Sequence, residues 1–220
     1  MRHGPLANSA PALPIEHANA LHVVLREAQR LGFLGAGPVE EQVSRSLAFG
    51  VVGAPTSAVD LGSGGGVPAF VLAALWEQSN WALIESNQKR AGFLQRAVVE
   101  LGLAGRCQIL CQRAEELGRG TTRSSADLVT ARSFGPPAPT AECAAPLLHT
   151  GGLLLVAEPP DGTGDRWSSP ALSLLGLVFN GVSRVTTPAG PTTVARLESV
   201  SECPDLYPRR AGMPFKRPLF

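Results

Sequence analysis

Residues 59–68 read Val59-Asp60-Leu61-Gly62-Ser63-Gly64-Gly65-Gly66-Val67-Pro68 and link a short apolar run to the start of a helical pattern. Glycine permits backbone dihedrals that a Cβ forbids, and it lets the chain approach a ligand closely. Open α/β sheets bind their ligands beyond the carboxyl ends of the strands, which is where this turn falls. The segment therefore predicts an open α/β sheet and the position of its binding site.

On both sides of the glycine segment, short apolar runs bounded by glycines alternate with helical patterns. The apolar runs predict strands at 58–61, 81–85, 107–111, 126–131 and 152–157, with helices near 68–76, 88–101 and 138–148. After Trp167 we expect one apolar helix and an edge hairpin of strands near 182–187 and 192–200. The alternation favours parallel strands joined by right-handed crossovers. The predicted fold class is α/β, with a doubly wound, mostly parallel, Rossmann-like sheet.

The N-terminal quarter of the chain has a different texture. Residues 1–14 are rich in proline, alanine and small polar residues, and predict a flexible leader. Apolar residues at three- and four-residue spacing predict an amphipathic helix over 15–31. Acidic residues at its start favour a second helix over 39–49. We therefore divide the chain into a leader and helical extension, 1–56, and a domain, 57–220.

Composition narrows the possible functions. Of 220 residues, 44% are hydrophobic, which suffices for one packed core, while the net charge of +1 means that any nucleic-acid contact needs a local basic patch. The longest stretch without charged residues, 167–183, contains proline and asparagine, so we expect no membrane span. No secretory signal is evident, and the expected location is cytoplasmic. His17, His22 and His149 stand at spacings unlike those of metal ligands, so no metal is expected.

Spacing within the glycine segment excludes three common chemistries. A P-loop needs Gly-Lys before Ser or Thr, a nucleophile elbow needs glycine two residues before Ser63, and a dinucleotide fingerprint needs its third glycine where Val67 stands. The second predicted strand ends in Glu85, and a carboxylate at such a place accepts hydrogen bonds from ribose hydroxyls. The pattern indicates a ligand that contains a ribose; the alternative is a tight turn followed by an exposed glutamate.

Several segments together carry a family resemblance; they are Asp60–Pro68, Leu83–Arg90 followed by Phe93 and Leu94, Arg113–Glu116, Asp127–Arg132 and the tail from Tyr207 to Leu219. They resemble the bacterial ribosomal RNA small subunit methyltransferase G family, also called glucose-inhibited division protein B. The resemblance implies a class I methyltransferase fold with S-adenosylmethionine as cofactor. It also implies guanine N7 of small-subunit ribosomal RNA as methyl acceptor, and hence ribosomal RNA or the small ribosomal subunit as partner.

Carried over by position, the resemblance implies cofactor contacts from the glycine loop, from two residues after the third strand, from the end of the fourth strand and, for the ribose, from Glu85. The complete set of expected cofactor residues is Asp60, Gly62, Gly64, Gly66, Val67, Glu85, Ala114, Glu115 and Arg132. No catalytic residue is assigned, because displacement at a sulfonium needs positioning more than acid–base groups.

The chain departs from the family where Glu158-Pro159 replaces a Lys-Gly pair after the fifth strand, which places an acidic residue near the expected acceptor pocket. This departure leaves two other functions open. One is a related methyltransferase with a different acceptor, either a small molecule or another RNA. The other is a cofactor-binding protein without transferase activity.

The tail from residue 204 is locally basic. It contains Arg209, Arg210, Lys216 and Arg217 against one acidic residue, Asp205. Its prolines disfavour a helix, which predicts an extended arm over the surface of the sheet, able to follow a phosphate backbone with its four basic side chains. In the alternative interpretation, three aromatic residues of the tail attach it to the fold, and the charges only solvate it.

Overall fold

The computed structural model describes residues 8–167 and 169–220. Its strands are β1 (Ser57–Leu61), β2 (Asn80–Ile84), β3 (Cys107–Leu110), β4 (Ala126–Ala131), β5 (Leu148–Ala157), β6 (Leu177–Thr187) and β7 (Gly190–Ser199). They form one sheet in the order β3-β2-β1-β4-β5-β7-β6. β1 to β5 are parallel, and β7 lies antiparallel between β5 and β6. The doubly wound, mostly parallel sheet and its edge hairpin are confirmed.

The described helices are α1 (Ile15–Arg30), α2 (Val39–Leu47), α3 (Ala69–Leu75), α4 (Gln88–Glu100), α5 (Ala114–Leu117), α6 (Pro137–Ala144), α7 (Ala171–Leu174) and α8 (Met213–Lys216). Side chains alternate across the sheet, as the period of a strand requires. Ala58 of β1 packs with α1, α3 and α4 in one core layer, and Val59 packs with α6 and the tail in the other. Helices therefore cover both faces of the sheet.

The leader is not free over residues 8–10, which corrects the expectation of a flexible segment there. Ala10 N–H donates to the Thr186 carbonyl at 2.9 Å, and Thr186 N–H donates to the Asn8 carbonyl at 2.9 Å. β6 is an edge strand, and an edge strand exposes backbone groups that a passing segment can pair. Residues 1–7 of the predicted leader lie outside the described residues.

Four elements differ from the prediction, and one of them is β5, which begins at Leu148 rather than near residue 152. The apolar run after Trp167 divides into the single turn α7 and the first residues of β6, which begins at Leu177 rather than near residue 182. The single turn α5 lies where a loop was expected. Periodicity does not separate helix from strand in apolar runs this short, so tertiary pairing decides. None of the described helices is long and apolar enough to cross a membrane.

Candidate active site

Two adjoining cavities lie at the carboxyl ends of β1, β2 and β4, with volumes of about 240 and 310 Å³. Glu85 lines the first and Gly64 the second; we name them the Glu85 cavity and the Gly64 cavity. Gly62, Arg90 and Ser133 line both. The two cavities therefore form one cleft with Gly62 in their shared wall, at the carboxyl ends of the strands, where the sequence predicts the site.

The glycine loop takes a course that larger residues could not follow. Gly62 has φ +66°, and a Cβ there would lie 2.8 Å from the Phe134 ring. Gly66 has φ +92°, and a Cβ there would collide with the Phe70 ring of α3. Positive φ strains any residue with a side chain. Gly62 thus keeps the cleft open, while Gly66, which lines neither cavity, allows α3 to pack against the loop.

Glu85 connects the loop to the start of α4. Its side chain is buried, and its Oε2 accepts the Gly64 N–H at 3.1 Å while Oε1 accepts the Asn87 N–H at 2.8 Å. Asn87 in turn caps α4 by accepting from the Lys89 and Arg90 N–H groups. Each carboxylate oxygen can accept a second hydrogen bond. Glu85 is therefore held in place with capacity left for two further hydrogen bonds.

Asp60 lies behind the loop and lines neither cavity. Thr130 Oγ1 donates to its Oδ1 at 2.6 Å, and its buried Oδ2 has no partner among the described residues. Burial raises the pKa of Asp60 to about 6, against the opposing hydrogen bond from Thr130. The carboxyl group joins β1 to β4 below the glycine loop, and it acts on the cleft through the loop rather than as a wall.

The far end of the Glu85 cavity is built by α5 and the C-terminal tail. Ala114 and Glu115 line it, as does Phe215. Glu115 Oε1 accepts the Gly212 N–H at 2.8 Å and the Arg113 guanidinium at 3.0 Å. Burial acts to raise the pKa of Glu115, but these two hydrogen bonds outweigh it, so the pKa is lowered. A charged Glu115 thus lies at the end of the cleft, held by the tail.

The tail is folded rather than extended, which corrects the expected arm. Arg209 pairs through Nη2 with the fully buried Glu142 of α6 at 2.6 Å. Residues 213–216 form α8, in which Pro214 takes a first-turn position where the missing N–H does no harm. The Phe215 and Phe134 rings meet edge to face at 5.7 Å. Of the four basic residues, Arg210, Lys216 and Arg217 are exposed and Arg209 is held internally.

The Gly64 cavity draws its walls from the glycine loop and the N-terminal helices. Gly64 and Val67 line it from the loop, and Phe33 and Leu34 from the segment between α1 and α2. Among the described residues nothing accepts a hydrogen bond from the Gly65 N–H in this wall. Backbone amides of this kind can receive a carboxylate. The helical extension is therefore part of the cleft.

Arg132 follows β4 and reaches α2. Its guanidinium donates to Ser46 Oγ at 3.2 Å and to the Gln42 side-chain oxygen, while the residue lines the Gly64 cavity. Burial, and secondly the charge of Arg45, lower its pKa. Arg132 thus joins α2 to the cleft and brings a fixed positive charge to it.

Glu158 does not reverse the charge of the site, contrary to the expectation from the sequence. Its side chain is buried, and its two oxygens accept from the Arg166 guanidinium at 2.7 to 3.1 Å. Oε1 also accepts from the Trp167 indole N–H at 2.8 Å. The carboxylate is therefore neutralised inside the protein.

Sequence reasoning missed the aromatic walls of the cleft, Phe33, Phe134 and Phe215, and the shared residue Arg90. Phe134 carried a usable signal, because it follows the end of β4 on the edge where ligands bind. Arg90 stood inside a segment that was singled out for other residues. Phe33 comes from a distant part of the chain without a local motif, and Phe215 stood in a tail segment that was singled out for its basic residues.

The sequence matches a family of known proteins. Residues 41–158 match the family model for rRNA small subunit methyltransferase G. A ribosomal RNA small subunit methyltransferase G from Moorella thermoacetica is 33% identical over 165 residues, which are 73% of this chain and 68% of the relative. A protein of the same name from Dehalococcoides mccartyi is 35% identical over 80% of this chain and 76% of the relative.

Solved structures resemble the fold at lower identity. Rv0187 from MTB, crystallised with its cofactor, has a TM-score of 0.60 and 17% identity over 87% of this chain and 99% of its own. An O-methyltransferase from Bacillus cereus, in complex with SAH, has a TM-score of 0.57 and 12% identity over 82% of this chain and 90% of its own. At such identities the likeness concerns the fold alone.

Proposed function

Since the chain belongs to the ribosomal RNA small subunit methyltransferase G family, we propose that it transfers a methyl group from S-adenosylmethionine to guanine N7 in small-subunit ribosomal RNA. One observation carries the proposal: two adjoining cavities at the carboxyl ends of β1, β2 and β4 share three lining residues, and such a pair suits a ligand with two unlike halves. We propose that it acts in the cytoplasm, on ribosomal RNA.

The residues of the cleft fit the two halves of this cofactor. Glu85 would accept from both ribose hydroxyls, and Ala114 and Glu115 would lie at the adenine end beside Phe215. Amides of the glycine loop, with Gly64 and Val67 in the cavity wall, would receive the carboxylate of the amino-acid half. Gly62, which lines both cavities, would lie between the halves.

The chain's part in catalysis is positioning. When bound, S-adenosylmethionine supplies a methyl group on a sulfonium, an already activated leaving group. Glu85 and the amides of the glycine loop would hold this cofactor, which would supply its methyl group to guanine N7 and leave as the uncharged thioether. Guanine N7 offers a lone pair in the plane of the base, and no proton has to be removed first. The protein must therefore align two reactants and exclude water, which agrees with a cleft that needs no general base.

Binding and transfer are tested separately. Calorimetry with S-adenosylmethionine, its demethylated product S-adenosylhomocysteine and NAD should detect the first two and not the third. The wild-type protein is then incubated with methyl-labelled cofactor and small subunits, naked ribosomal RNA or a cell extract freed of RNA. We expect label in RNA, at N7 of a single guanine. NAD binding alone, or label confined to the RNA-free extract, would contradict the proposal.

We also propose that the exposed basic residues of the tail contact the RNA backbone. Replacing Arg210, Lys216 and Arg217 with Ala should reduce the slope of log affinity against log salt by about 0.7 for each phosphate that the variant no longer binds. Arg209→Ala serves as the comparison, because its ion pair with Glu142 makes its removal a matter of stability. An unchanged slope in the triple variant would assign the tail a structural role alone.

A further inference from the structure

A third cavity of about 270 Å³ adjoins the Gly64 cavity, and Arg132 and Ser133 line both. Arg45 of α2 lines its other side, so we name it the Arg45 cavity. We propose that it receives the target base after the base has left its stack in the RNA, and that Arg45 binds a phosphate of the same nucleotide. The proposal rests on the proposed function and specifies the acceptor side of that site.

Position is the first reason. An enzyme that modifies a base inside structured nucleic acid must take the base out of its stack and into a pocket. The reacting atom must then come close to the methyl group, in line with the bond that breaks. The shared wall at Arg132 and Ser133 makes the Arg45 cavity an immediate neighbour of the proposed amino-acid end of the cleft. A base held there would therefore reach the cofactor without leaving the protein surface.

The wall composition is the second reason. Phe49, Pro160 and Pro191 give the Arg45 cavity apolar faces, and Thr192 and Thr193 add hydroxyl groups. Unstacked bases in RNA-binding proteins lie against apolar or aromatic side chains and hydrogen-bond at their edges. The Thr193 hydroxyl donates to the Pro160 carbonyl at 2.9 Å and is already used. Thr192 is the threonine of the wall whose replacement would fill the space.

Charge is the third reason, and it separates two arginines. Arg132 is fixed by Ser46 and Gln42, whereas the Arg45 side chain is 51% exposed and pairs with Glu41 of the same helix at 3.1 Å. An exposed pair within one helix contributes little to stability, so a phosphate can replace the carboxylate as partner of Arg45. Glu158, the acidic residue in the wall, is neutralised by Arg166 and does not repel the phosphate.

The two sides of the Arg45 cavity are joined by hydrogen bonds. Ser44 of α2 donates from Oγ to Thr187 Oγ1 at 3.1 Å and accepts the Ala189 N–H at 2.9 Å, which ties the helix to the β6–β7 hairpin. Thr187 Oγ1 also donates to the Gly190 carbonyl at 2.6 Å. The separation of the walls is thus set before any RNA arrives, as alignment of two reactants requires.

The first test fills the cavity. Thr192→Trp should lower the rate of methyl transfer to ribosomal RNA at least tenfold, while calorimetry gives the wild-type affinity for S-adenosylhomocysteine. The matched control is Val178→Trp, which adds the same indole to an exposed residue at the far end of the hairpin. Wild-type transfer by the Thr192→Trp protein would overturn the proposal.

The second test removes the charge. Arg45→Ala should raise the KM for RNA about tenfold and reduce the salt slope of RNA binding by about 0.7, as expected when one phosphate is no longer bound by the protein. Arg96→Ala, which removes an exposed arginine from α4, is the control. An unchanged slope would overturn the role of Arg45. If the wild-type protein transfers no methyl group to ribosomal RNA, the proposed function is wrong. If the wild-type protein transfers it and both variants do so equally well, the proposed function stands and only the acceptor role of the Arg45 cavity is wrong.

Discussion

At the amino ends of β1 to β4 a cavity of about 560 Å³ opens beside Ser57, Asn80, Cys107 and Ala126, and it exceeds each of the three cavities at the opposite edge of the sheet. Near it the Arg106 guanidinium already donates to three backbone carbonyls, those of Ala73, Trp76 and Ser79. At the carboxyl ends the cavities are smaller, yet a buried carboxylate and the glycine loop retain hydrogen-bonding capacity. Cavity volume therefore does not identify the candidate site in this fold. Unused hydrogen-bonding capacity favours the carboxyl ends of the strands instead.

The largest expected effect tests the cavities at the carboxyl ends of the strands. Glu85→Ala should weaken binding of S-adenosylhomocysteine by roughly 30- to 1000-fold, since a pair of charge-assisted hydrogen bonds contributes about 2 to 4 kcal/mol. Calorimetry measures the change. Glu116→Ala is the control, because Glu116 is exposed on α5 and lines neither half of the cleft. Equal affinities for the Glu85 and Glu116 variants would contradict a cofactor site at the carboxyl ends of the strands.

The next largest effect tests the cavity at the amino ends of the strands. Arg106→Ala should lower the free energy of unfolding by about 2 kcal/mol, because three carbonyl groups lose a charged donor. Denaturant titration measures this, with Arg96→Ala as a control expected to stay within about 0.5 kcal/mol. The affinity for S-adenosylhomocysteine should not change. A loss of affinity comparable to that of the Glu85 variant would mean that the amino and carboxyl ends of the strands both serve cofactor binding.

A smaller effect is expected from the aromatic wall that the tail contributes. Phe215→Ala should weaken cofactor binding roughly two- to tenfold, since stacking between an aromatic ring and another planar ring contributes about 0.5 to 1.5 kcal/mol. Phe220 is a matched control in the same tail: the two side chains are 42% and 37% exposed, and only Phe215 lines the Glu85 cavity. If Phe220→Ala weakens binding as much, the tail acts through its general attachment rather than through this ring.

The smallest effect depends on pH and concerns the pair of His149 and Asp127, which also lies near the amino ends of the strands. A hydrogen bond to Asp127 at 2.7 Å, and then one to the Thr150 carbonyl, raise the pKa of His149 against the effect of burial. The pKa of Asp127 is lowered, because hydrogen bonds from His149 and Ser57 outweigh the upward effect of burial.

The sign follows from these directions. The raised pKa of His149 means that the pair stabilises the fold fully below about pH 6.5 and less as pH rises through the folded value. The lowered pKa of Asp127 means that stabilisation is lost again as pH falls below about 4. His149→Gln should therefore cost under about 1 kcal/mol near pH 5.5, as the pair is partly exposed, and almost nothing at pH 9. Equal costs at both pH values would contradict the ion pair.

Local signals in the sequence predicted much of the fold and one half of the site. The glycine loop and Glu85 lie in one β-α-β unit, so the spacing along the chain fixes their distance in space. The alternation of apolar runs and helical patterns likewise reports on neighbours in sequence. Even the core position of Trp76 and Trp81, whose rings stack at 6.3 Å, could be expected from apolar surroundings.

Contacts between distant segments could not be predicted in this way. Arg209 and Glu142 are separated by 67 residues, and nothing in either segment indicates that the arginine of a basic tail pairs with a buried glutamate of α6. Glu158 appeared as a charge at the acceptor pocket, because its partner Arg166 follows in a segment without any motif. The pairing of residues 8–10 with β6 depends on which strand ends at the edge of the sheet.

The hydrogen bond from Gly212 to Glu115, together with Phe215 in the cavity wall, has a consequence for the order of events during synthesis. Translation proceeds from the N-terminus at about 5 to 20 residues per second, so the sheet can assemble before residues 209–216 leave the ribosome. A nascent chain in that state has the glycine loop and Glu85 but lacks Phe215 and the hydrogen bond from Gly212 to Glu115. In the proposed binding mode, a chain whose tail has not yet emerged would therefore bind the cofactor less tightly than the folded protein.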